Sequence, residues 1–144
     1  MKANNLKYLL GPMRVPFLIL APACVLLGVA TAFFATGTLH ALNVLLVFIG
    51  GLAAHISVNS LNEYYDFKSG LDLKTQRTPF SGGSGTLPAM PGMAGTALVT
   101  GLVSLGVAGL IGIYFVIVSG WGLLPLGLIG LISALWWLVT WKPS

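Results

Sequence analysis

The chain has 144 residues, 56% of them hydrophobic and 7% charged, with a mean hydropathy of +0.94 and a formal net charge of +4. Soluble domains carry about a quarter charged residues, and one membrane span takes about 20 apolar residues, so the composition excludes both a water-soluble globule and a single-span anchor. The seven basic residues form no stripe, which argues against a nucleic-acid surface.

Lys2, Lys7 and Arg14 precede the first apolar run, which is longer than a signal-peptide core and contains Pro16 and Pro22. It is read as a first span at about Val15 to Ala35, with Pro16 in the opening turn and Pro22 kinking the interior. Arg14 stands at its mouth. Its side chain suits either an orientation anchor that reaches for the interface or a bidentate phosphate contact. The lone cysteine, Cys24, forms no intrachain disulfide and is read as a small core residue.

A second span is expected at about Leu42 to Leu61, running into NSLNEYYDFKSGLD (59–72), which holds the chain's three acidic residues, Glu63, Asp66 and Asp72. If the helix continues at about 100° per residue, then His55, Asn59, Asn62, Glu63 and Asp66 share one sector of about 100°. Such an oxygen-rich stripe suits Mg²⁺, which takes one or two carboxylates and fills its shell with water and phosphate oxygens. A solvated helix end that marks the water boundary produces the same composition.

Residues 62–93 form the expected polar loop, ending RTPFSGGSGTLPAMPG. Its length fits a binding loop; the glycines of SGGSG (81–85) suit a hinge, or backbone N–H groups offered to a phosphate. A third span at about Ala94 to Val118 carries Thr96, Thr100, Ser104, Ala108 and Gly112 at four-residue spacing, a stripe for close helix packing. A fourth, at about Leu123 to Trp141, ends with Trp136, Trp137 and Trp141 before Lys142, an interfacial aromatic belt. His40, in the turn between spans one and two, receives no role.

No Asp, Glu, Lys or Arg occurs at 15–62 or 78–141, and the four spans leave all seven basic residues on one side. The positive-inside rule puts that side, with the N-terminus and the acidic loop, in the cytoplasm of a cell's inner membrane. The whole chain is expected to be one all-α transmembrane domain.

At NSLNEYYDFKSGLD followed by RTPFSGGSGTLP the chain resembles the UbiA superfamily of intramembrane prenyltransferases, in particular its 1,4-dihydroxy-2-naphthoate polyprenyltransferase branch. Asn62 and Asp66 match the first half of the family's N-x-x-x-D-x-x-x-D motif; Asp72 follows after six residues rather than four, as in that branch. Glu63 stands where an aspartate is common. The resemblance implies a Mg²⁺-dependent transfer of a polyprenyl group from polyprenyl diphosphate to an aromatic acceptor in menaquinone or related quinone biosynthesis. It implies Asn62, Asp66 and Asp72 as catalytic, with Asp66 and Asp72 on the metal. Arg14, Asn59, Glu63, Lys74 and Arg77 become substrate-site residues. Relatives are about twice as long, with some nine helices and a second acidic motif; no acidic residue follows Asp72 here. The chain is therefore expected to be the N-terminal half of such a bundle, poorly active alone and completed by a C-terminal half. Two other classes stay open: a noncatalytic binding or assembly subunit, and a small four-helix transporter, against which the absence of mid-span charges argues.

Overall fold

A computed structural model describes residues 10–74 and 83–140, with side chains through Ser133. Its described residues form helices and turns. A 3₁₀ turn at Val15–Ile19 leads into α1 (Leu20–Thr36), followed by α2 (Ala41–Ser69), the short α3 (Leu71–Lys74) and α4 (Thr86–Ala89), a 3₁₀ turn at Pro91–Met93, α5 (Ala94–Ser119) and α6 (Leu123–Thr140).

Three segments are long and apolar enough to cross a membrane: Val15–Thr36, Ala41–Ser69 and Pro91–Ser119. The expected fourth span coincides with α6, whose apolar part with described side chains, Leu123–Ser133, is shorter than a span. The tryptophan belt lies outside the described side chains. Pro22 differs from expectation. It falls in the first turn of α1, just after the 3₁₀ turn, where its missing N–H costs no helical bond.

α2 also differs, continuing eight residues past the expected end at Leu61. Its 29 residues give a length of about 43 Å, against about 30 Å of hydrocarbon. The first charges mark where apolar solvent ends, and a helix extends beyond that point while its own backbone bonds continue. Much of the expected loop is therefore ordered into the end of α2 and the short turns at Leu71–Lys74, Thr86–Ala89 and Pro91–Met93.

α2 is central, and its main partner is α5. Its buried positions Gly50, Ala53, Ser57, Ser60 and Leu61 recur at helical spacing and are mostly small. Where the sequence suggested a stripe from Thr96, the buried small residues at that end of α5 are Ala97 and Gly101. Small side chains permit the close approach that gives helices dispersion contacts in lipid. Most large apolar side chains elsewhere face outward, among them Leu27 at 71% and Phe34 at 94% exposure, as a lipid-facing surface requires. Cys24 is also exposed rather than in the core. A groove of about 770 Å³, lined by Cys24, Val47, Phe115 and the turn at His40, lies at the end of the bundle opposite the acidic residues.

Candidate functional site

The acidic end of the bundle gathers the entry segment ahead of α1 (residues 11–14), the end of α2 and residues 83–86. Gly70 caps α2 with φ +77°, and its N–H donates to the carbonyl of Phe67 at 3.1 Å. In an unbroken helix a six-residue step would turn Asp72 about 240° away from Asp66. The left-handed glycine ends α2 and starts α3, so the two aspartates sit on separate helical pieces.

Glu63 is 1% exposed. Ionised groups at such sites cost several kcal/mol unless paired, and this one is surrounded by donors. The backbone N–H of Ser84 donates to Oε1 at 3.0 Å and Oε2 at 2.9 Å, and the Ser84 hydroxyl contacts Oε1. Arg14 Nε lies 3.7 Å from Oε2. Thr86 supports Ser84: its N–H donates to Ser84 Oγ at 3.1 Å, and the two hydroxyl oxygens lie 2.8 Å apart.

Arg14 is the one non-glycine with positive φ among the described residues, at φ 51° and ψ 55°. A left-handed L-residue costs about 1–2 kcal/mol. Hydrogen bonds hold the turn, from Arg14 N–H to the Gly11 carbonyl at 2.9 Å and from Phe17 N–H to the Arg14 carbonyl at 2.8 Å. One helical turn before Glu63, Asn59 Nδ2 donates to the Met13 carbonyl at 3.0 Å. Consecutive turns of α2 thus moor consecutive residues of the entry segment.

Asn62 and Asp66, one turn apart, are half-buried, and Asp66 lies within electrostatic reach of Arg14 and Glu63. Asp72 is 6% exposed. Gly83, with φ +72°, covers it: a Cβ there would fall 2.8 Å from Oδ1 and 2.9 Å from Oδ2. Lys74 is exposed at the end of α3, and Arg77 lies outside the described residues. The expected stripe from Asn59 to Asp66 therefore sits beside Arg14, and residues 83–84 join its Glu63 to Asp72. Sequence reading did not select Thr86 or the Met13 carbonyl, and took Gly83 and Ser84 only as part of a glycine-rich run. The Ser84 N–H, within the glycine-rich run considered for a phosphate, goes to the internal anion Glu63.

For Mg²⁺ the donor chemistry fits, since Asp66, Asp72 and Asn62 supply only hard oxygen donors at the site. Among the described residues no three His, Cys, Asp or Glu side chains converge as a metal cage. That is compatible with an ion held by one or two carboxylates and completed by phosphate oxygens.

No family model matches the chain, and no solved structure matches it significantly. The chain is 38% identical over 120 residues to the protein named 1,4-dihydroxy-2-naphthoate octaprenyltransferase from Bacillus subtilis (strain 168), a UbiA-family member. The match takes in 83% of this chain and 36% of the relative, so the chain spans well under two thirds of that protein's length.

Proposed function

We propose that this protein is of the UbiA family and takes part in transferring a polyprenyl group from its diphosphate to an aromatic acceptor resembling 1,4-dihydroxy-2-naphthoate, in quinone biosynthesis. The supporting observation is the similarity to the Bacillus subtilis enzyme over 120 of the 144 residues, a stretch long enough that it takes in Asn62, Asp66 and Asp72, in a chain with three long apolar helices. In the proposed reaction the allylic C–O bond breaks and its electron pair leaves with the diphosphate. The acceptor ring supplies the pair for the new C–C bond, and the attacked ring carbon then releases its own substituent, as a proton or, at the carboxylated carbon, as CO₂, so that aromaticity returns.

The residues divide the work. Asp66 and Asp72 would hold Mg²⁺, which when bound neutralises charge growing on the diphosphate. The Arg14 side chain, 26% exposed while beside Glu63, keeps donor capacity for a diphosphate oxygen. Asn62 offers a carboxamide one turn before Asp66 to orient that group. Arg77 and Lys74 are further cation candidates in the same stretch. The apolar helices shield the ionising carbon from water. By the positive-inside rule this end of the bundle faces the cytoplasm.

The test is to reconstitute the purified chain in bilayers with labelled polyprenyl diphosphate, Mg²⁺ and the aromatic acid, alone and with the remaining part of a relative. Labelled prenylated acceptor supports the proposal. Mg²⁺-dependent diphosphate binding without product in either mixture favours a noncatalytic binding subunit, and neither binding nor product removes the prenyl-transfer reading.

A further inference from the structure

We propose that Glu63 is a positioning residue, whose buried carboxylate docks the Gly83–Thr86 segment onto α2 and thereby fixes Asp72. The importance of Asp72 rests on the proposed diphosphate site; the docking does not.

An ionised carboxylate has about four lone-pair positions. At Glu63 these meet the Ser84 N–H at both oxygens, the Ser84 hydroxyl at Oε1 and the Arg14 guanidinium at Oε2, and the side chain is 0% exposed. That leaves no open face for substrate or metal. Glu63 therefore acts through what it holds.

What it holds is placed against two further parts of the molecule. Gly83, adjacent to Ser84, lies on the Asp72 carboxylate from α3 so closely that no Cβ fits. Thr86 lies directly against Gly11 of the entry segment. Leu87, next in sequence, is 0% exposed. Ser84 is itself exposed, so its bonds to Glu63, rather than burial of its own side chain, anchor it. Removing the carboxylate frees Ser84, lifts Gly83 from Asp72 and leaves Arg14 without its anion.

The experiment places single reporter cysteines in the full chain in nanodiscs, in a Cys24→Ala background. Leu87→Cys reports on the docked segment, and Ser57→Cys, buried at 2% exposure in the middle of α2, reports on the bundle. Glu63→Ala is expected to raise maleimide labelling at position 87 by about 10- to 100-fold, the effect on a local opening of losing hydrogen bonds to a charged group. Labelling at position 57 stays at the parent level. Glu63→Gln, which keeps an acceptor, falls between parent and alanine, and Gly83→Ala raises labelling at position 87 on its own. Unchanged labelling at 87 in both Glu63→Ala and Gly83→Ala, or an equal rise at 57, overturns the docking.

The second readout is Mg²⁺-dependent binding of inorganic pyrophosphate. If Glu63 works through Asp72, Glu63→Ala and Asp72→Asn each weaken binding, and the double variant is little worse than Asp72→Asn alone. Fully additive losses overturn the coupling. If the parent binds no pyrophosphate, the reading of the site fails, while the labelling still decides the docking.

Discussion

Arg14 places its Nε 3.7 Å from Glu63 Oε2 while its own backbone occupies the left-handed region, at φ 51°. The residue thus carries conformational strain at the position where α2 supplies an anion. Arg14→Gly separates the two effects. Glycine relieves about 1–2 kcal/mol of backbone strain, which offsets part of what the buried Glu63 carboxylate loses with its cation, so thermal stability should fall only modestly. Pyrophosphate affinity should nevertheless fall about 10- to 100-fold, the usual consequence of losing charge-assisted hydrogen bonds. Calorimetric titration beside a melting curve checks both; unchanged affinity would remove Arg14 from the diphosphate site.

Asn59 gives a prediction about the mooring alone. Its carboxamide donates to the Met13 carbonyl at 3.0 Å. Asn59→Ala leaves that carbonyl short of a partner, a cost of about 1–3 kcal/mol where water cannot replace it. The variant should melt earlier in detergent, and a cysteine at Met13 should label faster than in the parent. Parent-level labelling would mean that Arg14–Glu63 and Thr86–Gly11 suffice to hold the entry segment.

The close approach of α2 and α5 predicts a purely structural defect. A Cβ on Gly101 would fall 2.7 Å from Leu61 Cγ and 3.2 Å from the Leu61 backbone nitrogen. The side chain can rotate, but the backbone atom cannot yield without moving α2. Gly101→Val should therefore destabilise the bundle by about 1–3 kcal/mol, as overpacking does. By contrast Tyr114→Phe, which removes a 3.0 Å bond to Asn43 near the opposite end, should cost only about 0.6 kcal/mol. Thermal unfolding in one detergent compares the pair, and equal shifts would contradict the assigned approach.

The membrane-helix class and the polar face from Asn59 to Asp66 were readable in the sequence because both follow from local rules. Charge-free runs locate apolar solvent, and offsets of three and four residues locate a helix face. The role of Glu63 was not readable. Its donors come from Ser84, 21 positions later, and from Arg14, 49 positions earlier, and nothing local links them. At the start of α5 the buried stripe was missed by one residue, since Ala97 and Gly101 are buried and Thr96 is exposed: which face is covered depends on the facing helix, whose Leu61 abuts Gly101, and not on the spacing of α5's own small residues. Cys24 was placed in the core on the water-soluble habit of cysteine, which does not carry over to a helix whose outer face meets lipid.

The step from Asp66 to Asp72 yields the sharpest prediction, because one glycine sets it. Gly70 has φ +77° and open space where a Cβ would be, so Gly70→Ala meets no steric obstacle and costs about 1–2 kcal/mol of left-handed strain alone. That strain favours continuing α2 as a regular helix, which would carry Asp72 about 240° round from Asp66. Mg²⁺-dependent pyrophosphate binding should then weaken in Gly70→Ala although every proposed ligand remains. Asp66→Asn and Asp72→Asn should each weaken it by about 10-fold or more, through loss of a charge-assisted contact. Gly70→Asn is the control, since asparagine tolerates the left-handed region and should retain most of the affinity. If alanine and asparagine at position 70 bind equally well, the helix break is not what sets the spacing of the two aspartates.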